Sequence, residues 1–114
     1  MQDDRLPTKM WLQAGLALCS GRGISAMVLQ SGDPHTGVVL VKIATLDGKC
    51  RLLTQQRDID GKLTWMDALP SDTMPDEADA DAYIGRARQR DPDLWIVEIE
   101  DRSGTNPFDS DSLN

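Results

Sequence analysis

The chain has 114 residues, 39% hydrophobic and 27% charged, the size and balance of one globular domain around a single modest core. With 12 basic and 19 acidic residues the net charge is −7. A chain this acidic repels phosphate backbones and anionic lipid surfaces, which argues against nucleic-acid and membrane partners.

The opening MQDDRLPTKM places acids where a signal peptide needs a basic region, and no apolar run approaches the roughly 18–20 residues of a membrane span. Cys19 and Cys50 are far apart and form no C-x-x-C pair, so neither a zinc site nor a redox motif is indicated. A cytoplasmic protein with reduced, buried thiols is the expectation.

The first helix is predicted from Thr8 to Ser20, with the Thr8 hydroxyl as its cap. Met10, Trp11, Ala14, Leu18 and Cys19 recur near helical spacing and suggest its apolar face, which Leu12 and Leu16 extend sideways so that much of the helix should be covered. Gly21 and Gly23 supply residues suited to ending it. Ile24 to Gln30 reads as a strand, and SGDPHTG after it reads as a loop. Val38 to Leu46 is β-branched and almost continuously apolar, the pattern of a central strand covered on both faces. Asp47-Gly48 predicts a tight primed hairpin into Lys49–Gln56, and Asp60-Gly61 a second hairpin into Lys62–Leu69. Those four strands are expected to form a meander.

The second helix falls within residues 70–91, capped by Asp72 or Thr73 with Pro75 in its first turn. Its acids, Asp76, Glu77, Asp79 and Asp81, come first and its bases, Arg86, Arg88 and Arg90, come last, which complements the helix macrodipole. Ala80, Tyr83, Ile84 and Ala87 make the buried stripe, and Asp91-Pro92 ends the helix. In the last strand, Asp93 to Glu100, residues Trp95, Val97 and Ile99 point to the core. Leu94, Ile96, Glu98 and Glu100 point the other way, toward a solvated face at the domain edge. Trp65 and Trp95 are expected in the core, and Trp11 to be partly exposed. The domain is expected to span residues 1–103, followed by a polar, mobile tail over 104–114. The order helix, four strands, helix, strand defines an α+β domain with a mostly antiparallel sheet of about five strands and two helices, and the last strand, because it follows a helix, is open to parallel pairing with an inner strand.

Candidate chemistry is sparse. Glu98 and Glu100 share a strand face, roughly 6.5–7 Å apart along the backbone, and could hold a divalent metal together with Asp93. Pro92-Asp93 with Glu98 also loosely resembles nucleases that carry "PD" on one strand and "E-x-K" on the next. Here both fall on one strand and Glu100 stands where the lysine belongs. His35, the sole histidine, shares the polar loop with Asp33, and no nucleophile motif accompanies it. Arg86 and Arg90 share a helix face and could meet a phosphate group or an acidic partner. No cofactor loop or metal-ligand spacing is present: SGRG closes a helix, whereas a phosphate-binding loop opens one.

RDPDLWIVEIEDRSG, preceded by the acidic helix, resembles the C-terminal signature of a small bacterial family, domain of unknown function 1491. The early helix with Trp11 and the run AMVLQSGDPHTGVVLVKI extend the resemblance over most of residues 9–104. It implies a cytoplasmic α+β protein of about this length and assigns no reaction or site residue. The leading expectation is therefore a non-enzymatic interaction module whose partner is another protein or a second copy of the chain. Asp33, His35, Arg86, Arg90, Asp93, Glu98 and Glu100 are the candidate contact residues. The alternative is a small metal-dependent hydrolase or ligand-binding domain using Glu98 and Glu100.

Overall fold

The computed structural model describes residues 7–35, 37–57, 59–60, 63–69 and 73–108. Its elements are α1 (Thr8–Gly21), β1 (Ser25–Gln30), β2 (Val39–Ala44), β3 (Cys50–Arg57), β4 (Leu63–Asp67), α2 (Glu77–Arg90) and β5 (Trp95–Glu100). The element order is the expected one, and the fold is α+β with a mostly antiparallel five-stranded sheet. The strands lie in the order β1-β5-β2-β3-β4.

β5 inserts between β1 and β2, antiparallel to the first and parallel to the second. Only β2, β3 and β4 form a meander, so the expected four-strand meander is corrected at β1. The physical reason lies in β5 itself. Val97 and Ile99 are fully buried on one face and Ile96 on the other, and a strand needing cover on both faces belongs inside the sheet. The parallel pairing with an inner strand, open to β5 because it follows a helix, is the one found, while the edge expected at its acidic face is taken by β1.

The sheet separates two apolar layers. On one side Val39, Val41, Ile43, Leu53, Trp95, Val97 and Ile99 pack with Trp11 and Leu12 of α1 and with Phe108. On the other side Leu40, Cys50, Leu52, Leu94 and Ile96 pack with Ala80, Ile84 and Ala87 of α2. The alternation of a strand directs successive residues to opposite faces, which is how the nearly continuous apolar run of β2 serves both layers.

The buried side of α1 is Thr8, Trp11, Leu12, Gly15 and Cys19, while Met10 and Leu18 are exposed. The expected apolar face is thus rotated, because Gly15 takes part in it without a side chain to announce itself. Its bare Cα lets the Phe108 ring come so close that a Cβ would lie 2.4 Å from Phe108 Cδ1. Trp11, expected to be partly exposed, is buried edge-on between Trp65 and Phe108, with ring centroids 6.4 and 6.2 Å away. Gly104, Asn106, Pro107 and Phe108, within the segment expected to be a mobile tail, are buried. Residues 109–114 lie outside the described residues.

α1 does not use its expected cap, and the N-cap position of α2 is Asp76, without a side-chain cap bond. The Thr8 hydroxyl donates to the carbonyls of Gly37 (3.0 Å) and His35 (3.3 Å), and the first backbone N–H groups of α1 donate to His35 O and Pro34 O. At α2 the Glu77 N–H donates to Gly48 O, while Cys50 N–H donates to Pro75 O. Each helix start is satisfied by carbonyls of a distant loop, which meets the same need as a side-chain cap. Pro75 precedes α2, and Asp72 lies outside the described residues. The α2 stop is as expected: Asp91 before Pro92 is extended at φ −140°.

The β2–β3 connection is wider than a two-residue turn. The last pair is Ala44↔Cys50, and the left-handed region is taken by Leu46 (φ 66°) and Gly48 (φ 85°). Asp47 Oδ1 accepts from the Thr45 hydroxyl (2.6 Å) and the Lys49 N–H (3.1 Å), closing the loop from within.

Both cysteines are free and buried, and burial pushes each thiol above its ordinary pKa. The thiolate is the reactive form. A colorimetric thiol reagent should therefore label both cysteines promptly in denaturant and neither on the same timescale in the native protein.

Candidate functional site

The seven sequence-predicted contact residues fall in separate places. Asp33, His35 and Asp93 lie at the start of β5, where the 31–38 loop folds over the strand. Asp33 N–H donates to Asp93 O (3.0 Å), and the Trp95 indole N–H donates to Asp33 O (2.7 Å). Asp33 Oδ1 accepts from the His35 N–H at 2.8 Å. The loop sits so close that a Cβ on Gly32 would lie 2.2 Å from Asp93 O, and one on Gly37 would lie 2.6 Å from the same oxygen. The G-D-P-x-x-G pattern therefore has a structural role, docking the loop on β5 and offering carbonyls to the start of α1.

Glu100 is exposed at the far end of β5, about 23 Å from Asp93 at strand rise. Arg86 and Arg90 are exposed on α2. Arg90 also borders a small cleft of about 240 Å³ floored by Leu40 and Leu94. The hydrolase alternative needs Glu98, Glu100 and either Asp93 or His35 in one concave site, and the rise of β5 sets Asp93 and the loop that carries His35 away from the two glutamates.

Glu98 belongs to a group that sequence reading missed. Lys42, opposite it on β2, is 3% exposed, and its ammonium lies 2.8 Å from Asp81, 2.9 Å from Glu98 and 3.0 Å from Glu77. One cation thus joins two strands to α2. Burial alone pulls the Lys42 pKa down, but the hydrogen bonds to Asp81, Glu98 and Glu77 outweigh it and hold the group above its ordinary value. The ammonium fills the space among the three carboxylates. Among the described residues no three His, Cys, Asp or Glu side chains are grouped to hold a metal ion. The signal for this cluster was a lone lysine inside the apolar run VVLVKIATL; a charge there needs a partner.

A second missed feature is the free edge of the sheet. Among the described residues β1 pairs only with β5, and its sequence, SAMVLQ, holds no charge and no proline. Met27 and Val28 are 54% and 36% exposed, on opposite faces of that edge. Edge strands are ordinarily guarded by charge, proline or a covering element. The other edge, β4, carries Asp67.

The comparisons with known proteins agree with this fold. The model for DUF1491, a protein family of unknown function, matches residues 6–109, and the chain belongs to that family. A crystal structure of a DUF1491 family protein from Caulobacter crescentus CB15 is 39% identical, with a TM-score of 0.79 over 92% of this chain and 95% of that one. An NMR structure of a DUF1491 family protein from the same organism is 38% identical, with a TM-score of 0.76 over 90% and 92%. A solution structure of a protein from A. tumefaciens shares the fold at 24% identity, with a TM-score of 0.68 over 84% and 86%. No curated protein matches the chain. Among the described residues no helix is long and apolar enough to cross a membrane.

Proposed function

We propose that the chain is a non-enzymatic interaction module that associates with a second copy of itself through β1. The observation that carries this reading is the uncharged, proline-free edge with Met27 and Val28 exposed on its two faces. Antiparallel pairing of β1 with β1 about a two-fold axis is self-complementary: the same residues meet from both sides. Centred on Met27, so that Met27 meets its own copy and Val28 meets Ala26, it joins two five-stranded sheets and sets apolar side chains against apolar ones with no like charges opposed. The net charge of −7 lies off this strand and opposes association at long range, so added salt strengthens it. Buried, unpaired Cys19 and Cys50 support a reducing, cytoplasmic setting.

Light scattering across a concentration series tests the reading. Wild type is expected to pass from monomer to dimer, and Met27→Lys to remain monomeric while unfolding as cooperatively as the wild-type monomer. A wild type that stays monomeric at every concentration and salt level would falsify self-association.

A further inference from the structure

The charges of α2 run from acid to base, and the fold turns that order into a direction along the free edge of the sheet. The start of α2 is held by the β2–β3 loop, where Glu77 N–H donates to Gly48 O. That is the end of the sheet where β1 begins, since Ser25 and Ala44 both lie opposite Glu100. The last turn of α2 is tied to the other end of β1: the Gln30 side-chain amide donates to Asp91 O (3.2 Å) and Leu94 O (2.7 Å). Tyr83 and Arg90 line a cleft with Thr54 of β3 and so face away from β1. Asp81 lies on the other flank of the helix, reaching Lys42, which also holds Glu98 of β5. Arg88 follows Asp81 by two helical turns and shares its flank, on the side of β5 and β1.

The acidic counterpart stands at the opposite end of the same edge. Glu100 shares the α2 face of β5 with Glu98 and lies beside Ser25, the first residue of β1. Arg88 and Glu100 are both exposed, and among the described residues neither side chain has an ion-pair partner. A two-fold axis normal to the sheet keeps both α2 helices on one face and sets the end of β1 in one copy against its start in the other. In the register centred on Met27, Leu29 meets Ser25 of the second copy. Leu29 packs beneath α2, and Glu100 of the second copy is two strand spacings from it, about 10 Å. An arginine and a glutamate side chain together cover that span, and symmetry makes the contact twice. Such a contact has a purpose: β1 is itself uncharged, so nothing within the strand opposes a slip of two residues, and registers are weakly specified in strands of that kind.

We propose that Arg88 of each copy pairs with Glu100 of the other across the two-fold axis, and that these two ion pairs fix the antiparallel register of the β1 interface and mark a second copy of this chain as its partner. The inference rests on the self-association reading and adds to it the charges that identify the right partner.

The test is sedimentation equilibrium of the chain and its charge-reversed variants at one fixed ionic strength. Arg88→Glu alone and Glu100→Arg alone each oppose like charges across the axis. Each is expected to raise the dimer dissociation constant on the order of tenfold, the scale of two exposed ion pairs turned into repulsions. The double variant Arg88→Glu/Glu100→Arg restores opposite signs and should return close to the wild-type constant. Mixing the two single variants is the sharper measurement. Both contacts of the mixed dimer again join opposite charges, so the mixture should associate more tightly than either variant alone. A pair formed within one chain, or a variant that fails to fold, cannot produce that gain. If wild type dimerises and the single variants dimerise equally well, or if mixing brings no gain, the Arg88–Glu100 contact is overturned while self-association stands. If wild type is monomeric throughout, both are overturned.

Discussion

Phe108→Ala is expected to lower the unfolding free energy by about 3–5 kcal/mol, the cost of emptying a buried phenylalanine site. The residue lies beyond β5, outside any helix or strand, where truncation would ordinarily cost little. Yet it is 3% exposed and edge-on to Trp11, which is in turn edge-on to Trp65. Aromatic pairs of this geometry add about 0.5–1.5 kcal/mol beyond the area they bury. Gly15 supplies a sharper version of the experiment. In an open helix interior Gly→Ala gains about 1 kcal/mol. Here the new methyl would lie 2.4 Å from the Phe108 ring, so Gly15→Ala should destabilise wild type. In the Phe108→Ala background the space is vacated, and the same change should become stabilising. Urea unfolding of the four proteins in this cycle measures both effects. A loss below about 1 kcal/mol for Phe108→Ala, or no reversal of sign for Gly15→Ala, would place the C-terminal segment outside the core.

That ring also shows how far the sequence could be read. Period-two patterns made β2 and β5 legible, because Val39, Val41, Trp95, Val97 and Ile99 mark one face without interruption. The charge order of α2 and its stop at Asp91-Pro92 were equally plain. What escaped was information carried by pairs distant in sequence. Phe108 among polar neighbours looks like a tail residue until Gly15 leaves room for it. Thr8 looks like a cap until the carbonyls of residues 34–37 arrive to fill that need. β5 looks like a final, outer strand until its two apolar faces are counted and one of them, Leu94 with Ile96, is matched to α2. Among the candidate site residues, Glu98 drew attention for its carboxylate, but its chemistry is set by Lys42, more than fifty positions earlier and adjacent only through the parallel pairing of β2 with β5.

Lys42→Met is the other substitution with a large expected effect, a loss of about 3 kcal/mol, the low end for removing one partner of a buried ion pair. The low end applies because Asp81 and Glu77 are 61% and 39% exposed and can turn to water, whereas Glu98, 25% exposed, is left facing an apolar neighbour. Adding Glu98→Gln to Lys42→Met should therefore recover most of the loss, since the buried charge disappears with its partner. The pH dependence has a definite sign. The folded protein holds the Lys42 pKa above the ordinary value of 10.5, so the native state binds its proton more tightly than the unfolded state does. The resulting stabilisation is complete below pH 10.5 and is lost as pH rises through the higher, folded-state value. Other groups titrate in the same alkaline range, so the informative quantity is the difference in unfolding free energy between wild type and Lys42→Met. It should be flat from neutral pH to about 10 and should shrink above that, as the unfolded chain ceases to hold the proton. Added salt should change it little, because a buried ammonium is poorly screened. If Lys42→Met proves neutral or stabilising at pH 7, desolvation of the ammonium outweighs its three contacts. The cluster then fixes where α2 sits on the sheet without adding to stability, and that role would be read from the position of α2 in the variant.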